Sequence, residues 1–340
     1  MTTSSPRGLM ERLATGAVIC AEGYLFEFER RGYLTPGSYV PEIVLEHPEL
    51  VTGLHRELVH AGSDVVEAFT YYANREKLRQ IDRERDLEPM NRQALEIAKG
   101  VARESGTLFA GDIGNTNLFV PNDEPAEVTV RAMFDEQVEW AMDAGVDMII
   151  VETFYYAAEA LIALAAARAA GVPVVVTLAM FEANQTRDGW PVADACRRLE
   201  DAGASVVGLN CIRGPQTLMP LIKQVRAAVK CPVAALPVPF RTTEAEPTFQ
   251  LLTDPCYHGQ PNGRPYPTAL EPFTCTRYEM GDFAREAYAS GVRYLGVCCG
   301  GGPQHVRSMA EALGRQPPAS RYSADLANRA FLDQRLKIRG

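Results

Sequence analysis

Ala144-Gly145-Val146-Asp147-Met148-Ile149-Ile150-Val151-Glu152 is the stretch that decides the fold. Asp147–Glu152 is apolar at successive positions rather than alternate ones, so it reads as a strand covered on both faces, as in a parallel sheet. Gly145 just before it reads as the left-handed residue that ends a helix. The unit recurs outward in both directions. Similar runs occur at Val18–Ala21, Asp64–Phe69, Leu108–Asp112, Val174–Leu178, Ser205–Cys211, Val233–Pro237 and Arg293–Cys298, which makes eight in all. Between them lie amphipathic stretches such as Pro41–His60, Met90–Glu104, Pro125–Ala144 and Arg277–Ser290, with apolar residues three and four apart. Ala61-Gly62, Ala170-Gly171, Ala202-Gly203 and Ser290-Gly291 repeat the helix stop. Eight strand–helix units predict the α/β class and a closed (β/α)8 TIM barrel. An open doubly wound sheet is the runner-up, but no G-x-G-x-x-G follows an early run.

Residues 1–316 are expected to form a single barrel domain, with 317–340 as a C-terminal tail. Residues 239–272, rich in Pro, Thr, Gly and Glu, break the rhythm and read as a long loop after the seventh strand, placed to cover a site. In the tail, the charged stretch Leu326–Lys337 suggests a terminal helix and a contact between copies, so a homo-oligomer is an open expectation. The 340 residues are 46% hydrophobic and carry a net charge of −9. That balance argues against nucleic acid and anionic membranes as partners and leaves small-molecule substrates. No apolar run approaches the roughly 20 residues needed to cross a bilayer. Met1–Arg7 is not followed by an apolar export segment, so the expected compartment is the cytoplasm, where the eight cysteines are free or metal-bound.

Barrels of this kind do their chemistry at the C-terminal ends of the strands. Those ends are expected to carry Glu22-Gly23-Tyr24, Thr70-Tyr71-Tyr72, Asp112-Ile113-Gly114-Asn115, Glu152-Thr153, Asn210-Cys211 and Cys298-Cys299. Cys211, Cys298 and Cys299 thus bring three thiols to one mouth, the donor set of a Zn²⁺ with one position open. Crowded thiolates repel, and a divalent cation removes that cost. A vicinal disulfide at 298–299 is a minor alternative, disfavoured by ring strain. The other five cysteines read as small buried hydrophobes. Three thiolates make zinc a poor hydrolytic Lewis acid but a good carrier for a substrate thiolate, so the same residues act as metal ligands and as the catalytic set. The implied chemistry is alkyl transfer to a substrate sulfur.

Glu152 follows a buried run and is presented into the mouth, where a substrate ammonium is its natural partner. Glu22 and Asp112 are further candidates. Tyr24, Tyr39, Phe69, Tyr71, Tyr72, Phe154 and Tyr155 cluster near strand ends 1, 2 and 4, as a box for a quaternary ammonium or sulfonium group would. The Gly300-Gly301-Gly302 loop reads either as an anion cradle or as a tight turn that leaves room for a metal.

With these residues the chain resembles the homocysteine S-methyltransferase family, and within it the betaine-dependent enzymes, from about Leu9 to Ser320. The markers include Arg30-Arg31-Gly32-Tyr33, Phe69-Thr70-Tyr71-Tyr72-Ala73, Gly208-Leu209-Asn210-Cys211 and Gly296-Val297-Cys298-Cys299-Gly300. The resemblance implies the barrel, zinc on Cys211, Cys298 and Cys299, and methyl transfer from an onium donor to homocysteine, giving methionine. It also implies Glu152 on the homocysteine amino group and Tyr39 and Tyr72 near the donor methyl groups. The first strand departs from the pattern. Ala21-Glu22-Gly23 stands where the family has Asp-Gly-Gly or Asp-Gly-Ala, which puts Glu22 and Gly23 at the amino acid head. Tyr39 replaces a Trp, Thr153 a Tyr, and Arg241 a residue that looks like His. Against that resemblance, no counterpart to the long dimerising extension of the animal enzymes is expected within these 340 residues. The zinc set is intact, so the donor is where variation is expected: betaine, dimethylsulfoniopropionate, proline betaine or S-methylmethionine.

Two rivals stand beside this reading. One is a metal-free, phosphate-binding lyase or aldolase using the triple-glycine loop, which would need a Lys or His that no strand end carries. The other is a non-catalytic homocysteine- or onium-binding protein.

Overall fold

The structure is a computed structural model that describes residues 8–181, 184–259 and 263–324. Within them eight strands form one parallel sheet: β1 Val18–Ala21, β2 Val65–Glu67, β3 Leu108–Gly114, β4 Met148–Phe154, β5 Val174–Leu178, β6 Val206–Asn210, β7 Val233–Leu236 and β8 Tyr294–Val297. Their order is β1-β8-β7-β6-β5-β4-β3-β2. The barrel closes between its ends where Asp64 N donates to Ile19 O and the Asp64 carboxylate accepts from Ile19 N, both at 2.8 Å. This is the predicted (β/α)8 barrel. Met1–Arg7 and Leu326–Lys337 lie outside the described residues.

Every residue of the eight strands is buried. Alternation within the runs is real but hidden, because both faces are covered. Met148 and Ile150 point to the barrel interior, whereas Ile149 and Val151 pack against the surrounding helices. The interior also takes Leu9 and Leu13, which belong to a helix over Leu9–Thr15 that the sequence reading did not foresee. A second unforeseen helix, Tyr24–Arg30, follows β1 directly. Both are seven residues long, two turns, too short for periodicity to stand out. Helices end on left-handed glycines at Gly62, Gly106 and Gly145.

Between β7 and the helix Arg277–Ala289 the described residues include one short 3₁₀ turn, Glu271–Phe273, as their sole helical element. The helix starts with a capping box, Thr276 with Glu279. No helix among the described residues is long and apolar enough to cross a membrane.

Candidate active site

Cys211 follows β6, and Cys298 and Cys299 follow β8. Their sulfur atoms lie within 4.8 Å of one another, and all three residues are buried. Tetrahedral zinc with ordinary Zn–S bonds needs sulfurs about 3.8 Å apart, so the donors fit a soft metal in type and spacing. All eight cysteines are free thiols, and no disulfide joins 298 to 299. The Cys298 and Cys299 thiols donate to Cys211 and hold its pKa well below the ordinary thiol value. Burial pushes Cys298 up, and Cys299 is raised by its hydrogen bond to Cys211.

The backbone presents this sulfur at a conformational cost. Cys211 and Ile212 have φ of 55° and 59°, left-handed values that are uncommon outside glycine and cluster at functional sites. Thr153 repeats the feature at φ 62°, where the β4–β5 register shifts between Val151 and Phe154. Asn115 holds the kink by donating to Thr153 O at 2.9 Å. Glu152 therefore sits inside a bulged β4 rather than at its end.

Asn210 organises the neighbouring carboxylates. Its Nδ2 donates to Glu22 Oε2 at 3.0 Å and Glu152 Oε2 at 2.5 Å, while its Oδ1 accepts from Thr153 N at 3.0 Å. Burial pushes Glu152 up to about 7, and its hydrogen bond with Glu22 limits the rise. Glu22 is raised well above the carboxylate range by burial and then by the charge of Glu152. Gly23 is required by a close approach, since a Cβ there would lie 2.3 Å from Gly301 O. The β1 and β8 loops thus touch backbone to backbone beside Cys298 and Cys299.

Tyrosines roof the thiols. Tyr39, Tyr72 and Tyr266 are all close enough to feel the charge on Cys299, and burial raises each of them. Tyr71 and Tyr72 rings are 4.2 Å apart, and Tyr39 stacks on Phe26 at 5.7 Å. The Tyr39 hydroxyl is buried without a partner. In this conformation the space left between the thiols, the carboxylates and the aromatic wall is about 20 Å³.

Of the residues singled out in the sequence, Cys211, Cys298, Cys299, Glu22, Gly23, Asn210, Glu152, Tyr39 and Tyr72 gather here. Arg241 does not. Its guanidinium turns outward onto Glu279, at 2.6 and 2.8 Å, and bolsters the capping box of Arg277–Ala289. Its expected place at the site is corrected accordingly: an exposed carboxylate 38 residues further along the chain claims the side chain. Two residues escaped the sequence reading. Tyr266 lies in the long loop, whose expected covering role was the signal that could have found it. Glu67, at the end of β2, brings its carboxylate within 4.8 Å of those of Asp112 and Glu152.

Sulfurs this close, facing a carboxylate pair inside a parallel barrel, are compatible with chemistry on a thiol, and the sequence matches give the class: a barrel transferase. The chain belongs to the homocysteine S-methyltransferase family, whose sequence profile matches residues 23–313. It is similar to betaine–homocysteine S-methyltransferase 1 of Mus musculus, 35% identical over 329 residues spanning 92% of this chain and 77% of that protein. It is equally similar to S-methylmethionine–homocysteine S-methyltransferase BHMT2 of Pongo abelii, 35% identical over 325 residues, 92% of this chain and 84% of that one. The metallated form of the homocysteine methyltransferase MmuM from Escherichia coli shares the fold, with a TM-score of 0.67 at 17% identity over 88% of this chain and 97% of that one. The chain is therefore an S-methyltransferase for homocysteine, and the lyase alternative falls away.

Proposed function

We propose that the chain moves a methyl group from an onium donor, a quaternary ammonium or sulfonium compound, to the sulfur of homocysteine at a zinc held by Cys211, Cys298 and Cys299. The observation that carries this reading is the meeting of those three thiols within 4.8 Å beside Glu152. Zinc bound there supplies a site at which an acceptor thiol loses its proton, and the thiolate is the nucleophile.

The protein's own groups do the rest. Glu152, steadied by Asn210 and paired with Glu22, receives the acceptor ammonium. Tyr39, Tyr72 and Tyr266 press ring faces on the donor cation, which cation–π attraction favours. Positioned in line, the acceptor sulfur forms a new S–C bond while the donor C–N or C–S bond breaks. The bonding pair leaves with the donor, which ends neutral at that atom, and methionine is the product. Proximity and exclusion of water supply much of the rate. The 20 Å³ of free space is smaller than homocysteine, so the cavity wall moves to admit it. Relatives named for betaine and for S-methylmethionine support the onium class without choosing between ammonium and sulfonium.

The test is metal content and methyl transfer in Cys298→Ala, with homocysteine and a panel of betaines and sulfonium compounds. Loss of zinc together with loss of methionine formation is expected. A full complement of zinc with undiminished transfer would sink the reading.

A further inference from the structure

Among the described residues Lys77 is the only buried lysine, 8% exposed. It belongs to the short helix Arg75–Arg79, which follows Tyr71 and Tyr72 in the chain. Asn74 caps that helix by accepting from Lys77 N at 3.0 Å, which fixes where the side chain starts. The other charged groups of the helix are already paired. Arg75 bridges to Glu84 and Glu136, and Arg79 to Glu76. Glu76, the acid whose charge Lys77 feels, is held by Arg79 at 2.8 Å and by Gln80 at 3.1 Å. The Lys77 ammonium makes no hydrogen bond and no ion pair. It lies over the Tyr72 ring, 4.2 Å from the centroid.

A buried ammonium with three protons to donate and no acceptor is costly. Burial lowers its pKa for that reason. The cation–π contact offsets part of the cost, but a ring face supplies no lone pair. An unsatisfied buried cation of this kind marks the place of an anion that is not part of the chain. Its position says which anion. Tyr72 also feels the charge on Cys299, so one ring stands close both to Lys77 and to the thiols. Lys77 does not line the cavity shared by the thiols and the carboxylates. A donor cation resting on the same tyrosine would meet the ammonium as a like charge. A carboxylate joined to the onium centre by a short chain turns that repulsion into an ion pair. One carboxylate also matches one ammonium, whereas a phosphate would leave a charge unpaired.

We propose that Lys77 selects the methyl donor: it binds the carboxylate of a zwitterionic onium compound and turns away onium cations that lack one. The inference rests on the methyl-transfer reading and adds a rule for donors to it. The transfer itself is unchanged. The methyl carbon passes from the onium atom to the acceptor sulfur, the bonding pair stays with the donor, and the carboxylate takes no part in bond making.

The experiment uses the full chain loaded with zinc, with homocysteine as acceptor. Glycine betaine and dimethylsulfoniopropionate are each compared with their methyl esters, which keep the onium centre and lose the negative charge. The parent is expected to favour each acid over its ester by roughly 10-fold or more in kcat/KM, the scale of one charge-assisted hydrogen bond. Lys77→Met should bring that ratio close to unity, raising the KM of the acids and lowering that of the esters with the homocysteine KM unchanged. Lys77→Arg should keep the preference. A merely structural lysine would move acid and ester together. Arg187→Gln removes an exposed guanidinium that stacks on Tyr155 and Phe181, and the ratio should survive it. An equal collapse there would assign the selectivity to the general field and overturn the role of Lys77, as would a Lys77→Met protein with the parent's ratio. Equal transfer from acid and ester by the parent would sink the inference while the functional reading stood, and that comparison needs no variant to fold. No transfer from any of these donors would end both.

Discussion

Glu22 and Glu152 meet over a single amide: Asn210 Nδ2 donates to Oε2 of the first at 3.0 Å and of the second at 2.5 Å. This asparagine is what lets two buried acids face each other. Asn210→Ala takes the amide from both, leaving Glu152 Oε2 the Thr153 hydroxyl at 3.1 Å, and a buried acceptor stripped of its partner costs about 1–3 kcal/mol. Urea unfolding should show that loss. Steady-state kinetics should show a raised KM for homocysteine with the donor KM little changed.

Gly23→Ala is expected to be disruptive although it adds one methyl group. The new Cβ would meet Gly301 O at 2.3 Å, and backbone cannot yield as a side chain does. Overpacking of this sort costs about 1–3 kcal/mol. The displaced Gly300–Gly302 loop carries Cys298 and Cys299 with it, so zinc content should fall too. Gly53→Ala, inside the helix Pro48–Ala61 with nothing within 4 Å, should be neutral or slightly stabilising in the same thermal assay.

The tyrosine roof makes a prediction about the donor alone. Tyr72→Ala and Tyr266→Ala each remove a ring near Cys299. A desolvated cation–π contact is worth about 1–2 kcal/mol, so donor KM should rise roughly 10-fold in each. An equal rise in the homocysteine KM would show that the rings shape the whole pocket rather than the donor side.

His55 offers a pH test away from the site. It is buried edge-on to Tyr24 at 5.1 Å, with neither ring nitrogen partnered. Burial lowers its pKa from 6.5 to about 3. The folded protein keeps it neutral across that window while the unfolded chain takes up a proton below 6.5. Its contribution is therefore intact above pH 6.5 and falls as pH drops toward 3, by up to about 1.4 kcal/mol per pH unit. His55→Phe should flatten that limb. Denaturant midpoints of the two proteins at pH 7 and pH 5 read the difference, and the shared groups cancel.

Arg241→Ala should do little. The Arg241–Glu279 pair is more than 40% exposed on each side, and exposed pairs contribute less than about 1 kcal/mol. A small drop in melting temperature with unchanged KM for both substrates is expected.

Read alone, the sequence determined the barrel and which thiols stand at its mouth. Strands buried on both faces must be apolar at nearly every position, and that signal survives without neighbours; it placed β5 and β1 to the residue. Cys211 and Cys298-Cys299 were legible because sulfur at strand ends has few other uses. Tertiary structure alone decided which polar groups share a space. Glu67 looks like an ordinary acid closing a short strand until the barrel's stagger sets it against Asp112 and Glu152. Arg241 follows β7 closely in sequence, yet the capping carboxylate of Glu279 pulls its side chain outward. Tyr266 comes from a loop with no periodic pattern, and Leu9 and Leu13 enter the barrel from a helix too short to announce itself. Local pattern records which face of an element is buried, but not which other element it is buried against, and it is the second of these that assembles a site.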